Sequence, residues 1–182
     1  MSNLIKLPPF DENGDVNVVI ETPRGSVVKY NYKPELHAFR LCRALGAGVS
    51  YPYDFGFVPG TLAEDGDPLD AMVLADFGAY PGVVVSCKIL GVVKLSQKEK
   101  GGERTRNDRL LLVPICSPHV DRLDGPDDIP KRTRKELEEF FIEVDELTGK
   151  DPRVEGTEGR AEGRACLEAA ILRAQGAKKQ DA

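Results

Sequence analysis

The stretch Val16-Asn-Val-Val-Ile-Glu-Thr-Pro-Arg-Gly-Ser-Val-Val-Lys-Tyr-Asn-Tyr32 decides the class of fold. Two runs rich in β-branched and aromatic residues, Val16 to Glu21 and Ser26 to Tyr32, flank Thr-Pro-Arg-Gly. That is turn chemistry between extended segments, so a β-hairpin is expected. In the second run a period of two sets Val28, Tyr30 and Tyr32 on one face and Val27, Lys29 and Asn31 on the other. Lys29 therefore stands off a rigid strand. Upstream, residues 1–15 are punctuated by Pro, Asn, Gly and Asp and form an arm that packs on the domain or frays.

Downstream, Lys33 to Pro59 is irregular and aromatic and ends in Tyr51-Pro-Tyr-Asp-Phe-Gly-Phe57-Val-Pro. Each proline biases its predecessor toward extended backbone, so a loop or short strand lining something is expected there. Asp70 to Asp76, Val83 to Ser96 and Arg109 to Ile115 are apolar enough for strands, the middle one long enough to bend or break at Gly91. After Pro130 the period becomes helical, with Leu137, Phe140, Phe141, Val144 and Leu147 on one face, Thr133 as N-cap and Gly149 past the end. Glu158 to Gln175 predicts a second helix with Leu167, Ile171 and Ala165 on its apolar side, weakened by two glycines. Residues 176–182 form a loose polar tail. Strands first and helices last give an α+β, mainly β, chain with a small antiparallel barrel, one domain over residues 1–182.

At 182 residues such a chain needs no staple, because a domain of roughly 150 residues already hides about 70% of its unfolded surface. Twenty-five Lys and Arg against 30 Asp and Glu leave a net charge of −5, the wrong sign for a nucleic-acid binder. Cys42, Cys87, Cys116 and Cys166 lie far apart without metal spacing and fit buried thiols of a reducing compartment. His37 and His119 follow no ligand spacing. No run approaches the ~18 apolar residues of a membrane span and no secretory signal opens the chain, so a cytoplasmic protein is expected.

Chemistry concentrates in Glu64-Asp65-Gly66-Asp67-Pro68-Leu69-Asp70. Aspartates brought that close repel one another unless a cation sits between them, and oxygen-only ligands suit Mg²⁺ or Mn²⁺. A calcium EF-hand is excluded, since Leu69 and Asp70 fall where that loop needs an oxygen ligand and a glycine. Lys29, Arg43 and Tyr51 supply what a polyanionic phosphate substrate would require.

Taken in order, Glu21-Thr-Pro, Lys29-Tyr, Arg43, Tyr51-Pro-Tyr-Asp-Phe-Gly-Phe-Val-Pro-Gly-Thr-Leu and Asp65-Gly-Asp-Pro-Leu-Asp70 closely resemble the soluble family I inorganic pyrophosphatases over roughly Val16 to Pro114. The helix from Glu158 to Ile171 resembles that family more loosely. The resemblance implies an OB-like five-stranded antiparallel β-barrel with flanking α-helices, a cytoplasmic homo-oligomer, and Mg²⁺-dependent hydrolysis of pyrophosphate. Carried over by position, Asp65 and Asp70 ligate metal, Asp67 accepts a proton from the attacking water, and Lys29 and Arg43 hold phosphate oxygens. Glu21, Tyr51 and Phe55 support them, and Glu21 would help place metal-bound waters.

Elsewhere the pattern departs from the family. Asn31, Phe55, Gln97 and Asn107 replace acidic or hydroxyl residues, Arg109 replaces a lysine, and Val144-Asp145 replaces a Tyr-Lys pair. Asn107 offers metal only an amide oxygen, forfeiting a raw Coulomb term of about 4 kcal/mol at an effective dielectric near 20, while Arg109 is expected to face substrate. Asp108 points to the opposite face of a strand from Asn107 unless a bulge intervenes. The loop around Lys98, Lys100, Arg104 and Arg106 has become basic. This leaves two alternatives to a pyrophosphatase: an impaired phosphate-binding or regulatory paralogue whose arginines neutralise an anion directly, or a hydrolase of an organic diphosphate.

Overall fold

A computed structural model describes residues 3–98, 101–118 and 120–180; Lys100 and His119 lie outside the described residues. The strands are β1 (Val16–Thr22), β2 (Val28–Lys33), β3 (Ala38–Ala44), β4 (Asp54–Phe57), β5 (Asp70–Val73), β6 (Val84–Lys98), β7 (Arg104–Arg106), β8 (Arg109–Pro114) and β9 (Asp151–Glu158). The helices are α1 (Lys131–Glu146) and α2 (Arg160–Gln180). Five strands close a ring in the order β1-β4-β5-β8-β6, with β6 returning to β1. This is the expected OB-like barrel, with one difference: β5 and β8 run parallel while the other four pairings are antiparallel.

The hairpin expected from Val16 to Tyr32 does not form. β1 is buried along its whole length and is claimed on its two edges by β4 and β6, whereas β2 pairs with β3 in a separate two-stranded sheet. Side chains bridge the two sheets instead. Thr22 Oγ1 accepts from Tyr30 N (3.0 Å) and donates to Tyr30 O (3.1 Å), and Glu21 Oε1 accepts from Tyr32 N (2.6 Å). β3 and β9 were not foreseen, because Ala38–Ala44 is mostly exposed and Asp151–Glu158 is polar, so neither shows an apolar alternation. β9 docks on the second half of β6, where the register slips between Lys94 and Leu95.

β5 and β8 are buried on both faces, which explains their nearly continuous apolar sequence. Ala71, Val73, Leu110 and Leu112 pack in a cluster with Leu167 and Ala170 of α2. Met72, Leu74, Leu111 and Val113 pack on the other side with Leu137, Phe140, Phe141 and Val144 of α1. The helical period thus locates the core face of α1, but its ends differ from expectation. The helix starts at Lys131 behind Pro130 with no side-chain cap, Thr133 lies inside it, and Leu147 is exposed. α2 begins at Arg160 and runs on to Gln180 where a loose tail was expected, and its Ala165 is exposed.

Gly163, read as a weak point, lets α2 approach β6: a Cβ there would lie 2.9 Å from Ile89 Cγ2 and 3.0 Å from Gly91 O. At Gly91 the β6–β8 register shifts, so the strand does bend where glycine permits it. The arm packs rather than frays, Leu4, Ile5 and Leu7 covering Val19, Tyr32 and Phe57. Two cysteines differ from expectation, since Cys42 and Cys116 are exposed while Cys87 is buried and Cys166 half-buried; all four are free.

At Gly56 the backbones of β1 and β4 come close, and a Cβ there would fall 1.9 Å from Val19 O. Gly56→Ala is therefore expected to force the two strands apart and destabilise the protein by about 3 kcal/mol, read as a lowered urea midpoint.

Candidate active site

A cleft of about 400 Å³ opens where the two-stranded sheet, the loop before β5, the start of β8 and the end of α1 meet. Seven of the residues singled out by sequence line it: Glu21, Lys29, Asp65, Asp67, Asp70, Asn107 and Arg109. Each is placed by a different local device. Glu21 ends the buried strand β1, and Lys29 and Asn31 share the cleft-facing side of β2, as the period of two requires. Asp65 and Asp67 ride a turn at Gly66, whose φ of 90° suits glycine. Within that turn Asp65 Oδ1 accepts from Asp67 N (3.2 Å). The turn is pinned by Ala63 N donating to Asp67 O (2.7 Å) and by Thr61 Oγ1 accepting from Leu69 N (2.9 Å). Asp70 opens β5 and Arg109 opens β8.

Three expected residues do not line the cleft. Arg43 is the cross-strand partner of Lys29, but its Nη2 donates to Val144 O (3.0 Å) near the end of α1. Tyr51 is buried against Phe55 (5.7 Å) and edge-on to Phe140 (5.0 Å), and burial pushes its phenol up. The Phe55 ring instead lies behind the cleft's cations, 5.5 Å from Lys29 Nζ and 6.0 Å from the Arg109 guanidinium carbon.

Arg109 is buried and bonded on several sides. Nη1 donates to Asn107 O and Oδ1 and lies 3.3 Å from Asp70 Oδ2, while Nη2 bonds Asp145 Oδ2 at 3.3 Å. The amide oxygen that sequence offered to a metal is thus already taken. Asp145 itself lines the cleft. Sequence marked it as a lost lysine without revealing its use, since its partner lies 36 residues away. Asp108 points away from the cleft, as the strand period demands, toward Lys94 (3.1 Å), Leu95 N (3.1 Å) and Arg106 (3.1 Å). Two arginines of the basic loop are also spoken for. Arg104 bonds Ser96 and Asp151, Arg106 bonds Asp108 and Glu155, and neither lines the cleft.

Six carboxylates and four cationic side chains line this cleft. Burial first, and repulsion between neighbouring carboxylates after it, raise three of these acids. Burial raises Glu21 to about 7, with the charges of Asp70 and Asp67 adding to it against the hydrogen bond from Tyr32 and the charge of Lys29. Asp65 is raised by loss of surrounding water and then by Asp70 and Asp67; Asp70 is raised by burial, against Arg109 and Lys29. Among the described residues no three acidic, thiol or imidazole groups already converge as a closed metal cluster. Even so, oxygen donors that repel one another across a surplus of negative charge fit a hard divalent cation on the Asp65–Asp67–Asp70 side. The Asn107 side does not fit one, because Arg109 fills it.

The family model described as inorganic pyrophosphatase matches residues 18–175. The chain belongs to the inorganic pyrophosphatase family. The inorganic pyrophosphatase of Thermus thermophilus is 38% identical over 169 residues, 92% of this chain and 94% of that protein. Its crystal structure superposes with a TM-score of 0.86 over 96% of this chain and 99% of the other. The pyrophosphatase of Sulfolobus acidocaldarius is 34% identical over 94% of this chain and 99% of its own length. That of Helicobacter pylori superposes with a TM-score of 0.84 at 32% identity, covering 93% of this chain and 99% of that one.

Glu21 yields a pH prediction. Its folded pKa lies above its ordinary value of 4.5, so its contribution to stability is complete below that value and is lost as pH rises through about 7. Urea unfolding of metal-free protein is expected to show Glu21→Gln gaining on the unaltered protein between pH 4.5 and 7, by at most about 1.4 kcal/mol per pH unit.

Proposed function

We propose that this chain hydrolyses inorganic pyrophosphate to two phosphates in a reaction that depends on a divalent cation, Mg²⁺ with Mn²⁺ able to replace it. One observation carries the reading: Asp65, Asp67 and Asp70 share a cleft with Lys29 and Arg109, and there the acids outnumber the cations. A cleft of that charge repels a polyanion unless a cation enters with it. Asp65 and Asp70 would hold that ion, which when bound supplies Lewis-acid neutralisation of phosphoryl oxygens and a more acidic water.

The chain's own residues carry the rest. Asp67, exposed on its turn and next to both ligands, accepts the proton of the attacking water. Lys29, backed by the Phe55 ring, binds phosphate oxygens as a compact charge. Arg109 presents the edge of its guanidinium to the same space, and Arg43 adds its charge from one strand behind Lys29. Glu21 orders solvent beside the acids, and Tyr51 and Phe55 form the wall that keeps the cations in place. A phosphate-binding paralogue is not favoured, because Arg104 and Arg106, two of the three arginine forks it would use, are committed to carboxylates outside the cleft. The organic-diphosphate reading has no support of its own.

A cytoplasmic homo-oligomer acting on a small anion, without a nucleic-acid or membrane partner, completes the proposal. The net charge of −5 and the exposed Phe77, Tyr80, Val83 and Val84 support it. No helix among the described residues is long and apolar enough to cross a membrane.

Phosphate release from pyrophosphate at millimolar Mg²⁺, abolished by EDTA, is the expected result, and turnover no faster than a protein-free blank would overturn the reading. Asp67→Asn is expected to lower kcat by about 10²–10⁴ while Mn²⁺ binding is retained. Lys29→Met is expected to lower kcat/KM by about 10².

A further inference from the structure

On the acid-loop side of the cleft Asp65 and Asp67 ride the exposed turn at Gly66, whereas on the opposite wall a cation is built in among the acids. Three side-chain oxygens from three elements converge on the Arg109 guanidinium: Asp70 Oδ2 from the first residue of β5 at 3.3 Å, Asn107 Oδ1 from the β7–β8 connection at 2.7 Å, and Asp145 Oδ2 from the last turn of α1 at 3.3 Å. The Arg109 side chain is 5% exposed and that of Asp145 10%. Phe141 flanks the guanidinium at 5.3 Å and Phe55 at 6.0 Å. Two carboxylates and an amide oxygen are a donor set for a hard cation, and here a planar organic cation receives them. A guanidinium cannot leave such a place by losing its proton.

The end of α1 shows the same construction. A carboxylate in the last turn of a helix opposes the helix dipole, and a cation beside it offsets that cost. Arg109 compensates Asp145, while Arg43 Nη2 caps the neighbouring carbonyl of Val144. Asp145 thereby fixes the fork of Arg109 toward Asp70 and Asn107.

We propose that Arg109, positioned by Asp145, is the permanent cation of the Asn107 side of the cleft: it occupies Asn107 Oδ1, Asp145 Oδ2 and one oxygen of Asp70, so metal loads only on the acid-loop side, through Asp65 and the remaining oxygen of Asp70. This rests on the hydrolase reading only for the identity of the cleft. Its consequence is a division of charge neutralisation, with one wall served by a fixed residue and the other by an exchangeable ion. Asp145 is a positioning residue in this scheme, acting through Arg109.

The test counts Mn²⁺ bound per chain by electron paramagnetic resonance of the free ion at equilibrium, without turnover. Asn107→Asp is expected to leave the count unchanged, because the new carboxylate pairs with Arg109. Arg109→Lys is also expected to leave it unchanged, because the positive charge remains. Arg109→Met is expected to bind one more Mn²⁺ than the unaltered protein and to show a Tm that rises with Mn²⁺ where the unaltered protein shows no such added rise. An extra ion in Asn107→Asp or in Arg109→Lys overturns the proposal, as does a folded Arg109→Met with no extra ion. If Arg109→Met does not fold, the other two variants decide. Phosphate release by the unaltered protein is measured in parallel: its absence overturns the hydrolase reading, while the ion counts still decide the role of Arg109.

Discussion

The parallel pairing of β5 with β8 is the constraint on which the site depends. Ala71 lies opposite Leu110 and Val73 opposite Leu112, so the residues one place earlier, Asp70 and Arg109, emerge side by side at the same end of the barrel. An antiparallel pairing of those strands would have sent the two charges to opposite ends. Because both strands are buried on both faces, a slip in register would bury polar groups and expose core, which makes the juxtaposition of Asp70 with Arg109 difficult to lose.

Everything else in the cleft is arranged around that pair. The turn at Gly66 brings Asp65 and Asp67 to one side of Asp70, and the two-stranded sheet brings Lys29 over the top. The end of α1 supplies Asp145 from the other side. The acids are raised by burial and then by one another, and the cations are braced by aromatic rings, so the cleft is a tense electrostatic environment rather than a neutral one. Tension of this kind is what a site for a cation and a polyanion requires, since each relieves the repulsion that the other meets.

The basic loop illustrates how the same charges acquire different meanings in three dimensions. In sequence, Arg104, Arg106 and Arg109 look like one cluster suited to an anion. In the fold they part. Arg104 and Arg106 turn to the acids of β9 and to Asp108, whereas Arg109 turns into the cleft, because residues on a strand and its approach alternate sides.

Much was legible in the sequence. The acid loop, the lysine on its strand, the apolar runs of β5, β6 and β8 and the helical period of α1 all follow from residue type and spacing, which act over a few positions. What the sequence did not disclose was pairing. The segment Val16 to Tyr32 carries every local mark of a hairpin, yet β1 and β2 separate, because the ring claims both edges of β1, and edge partners are chosen by distant strands. β3 and β9 lacked an apolar alternation because their faces are largely solvated. The use of Asp145 is hidden from a local reading for the same reason as the pairing of β1: its partner is remote in sequence and adjacent only after folding. The sequence by itself thus determined which chemical groups the protein possesses and which stretches are extended or helical. Only the tertiary structure decided which of those groups meet, because long-range strand register, set by the burial of two faces at once, is not encoded in any local window.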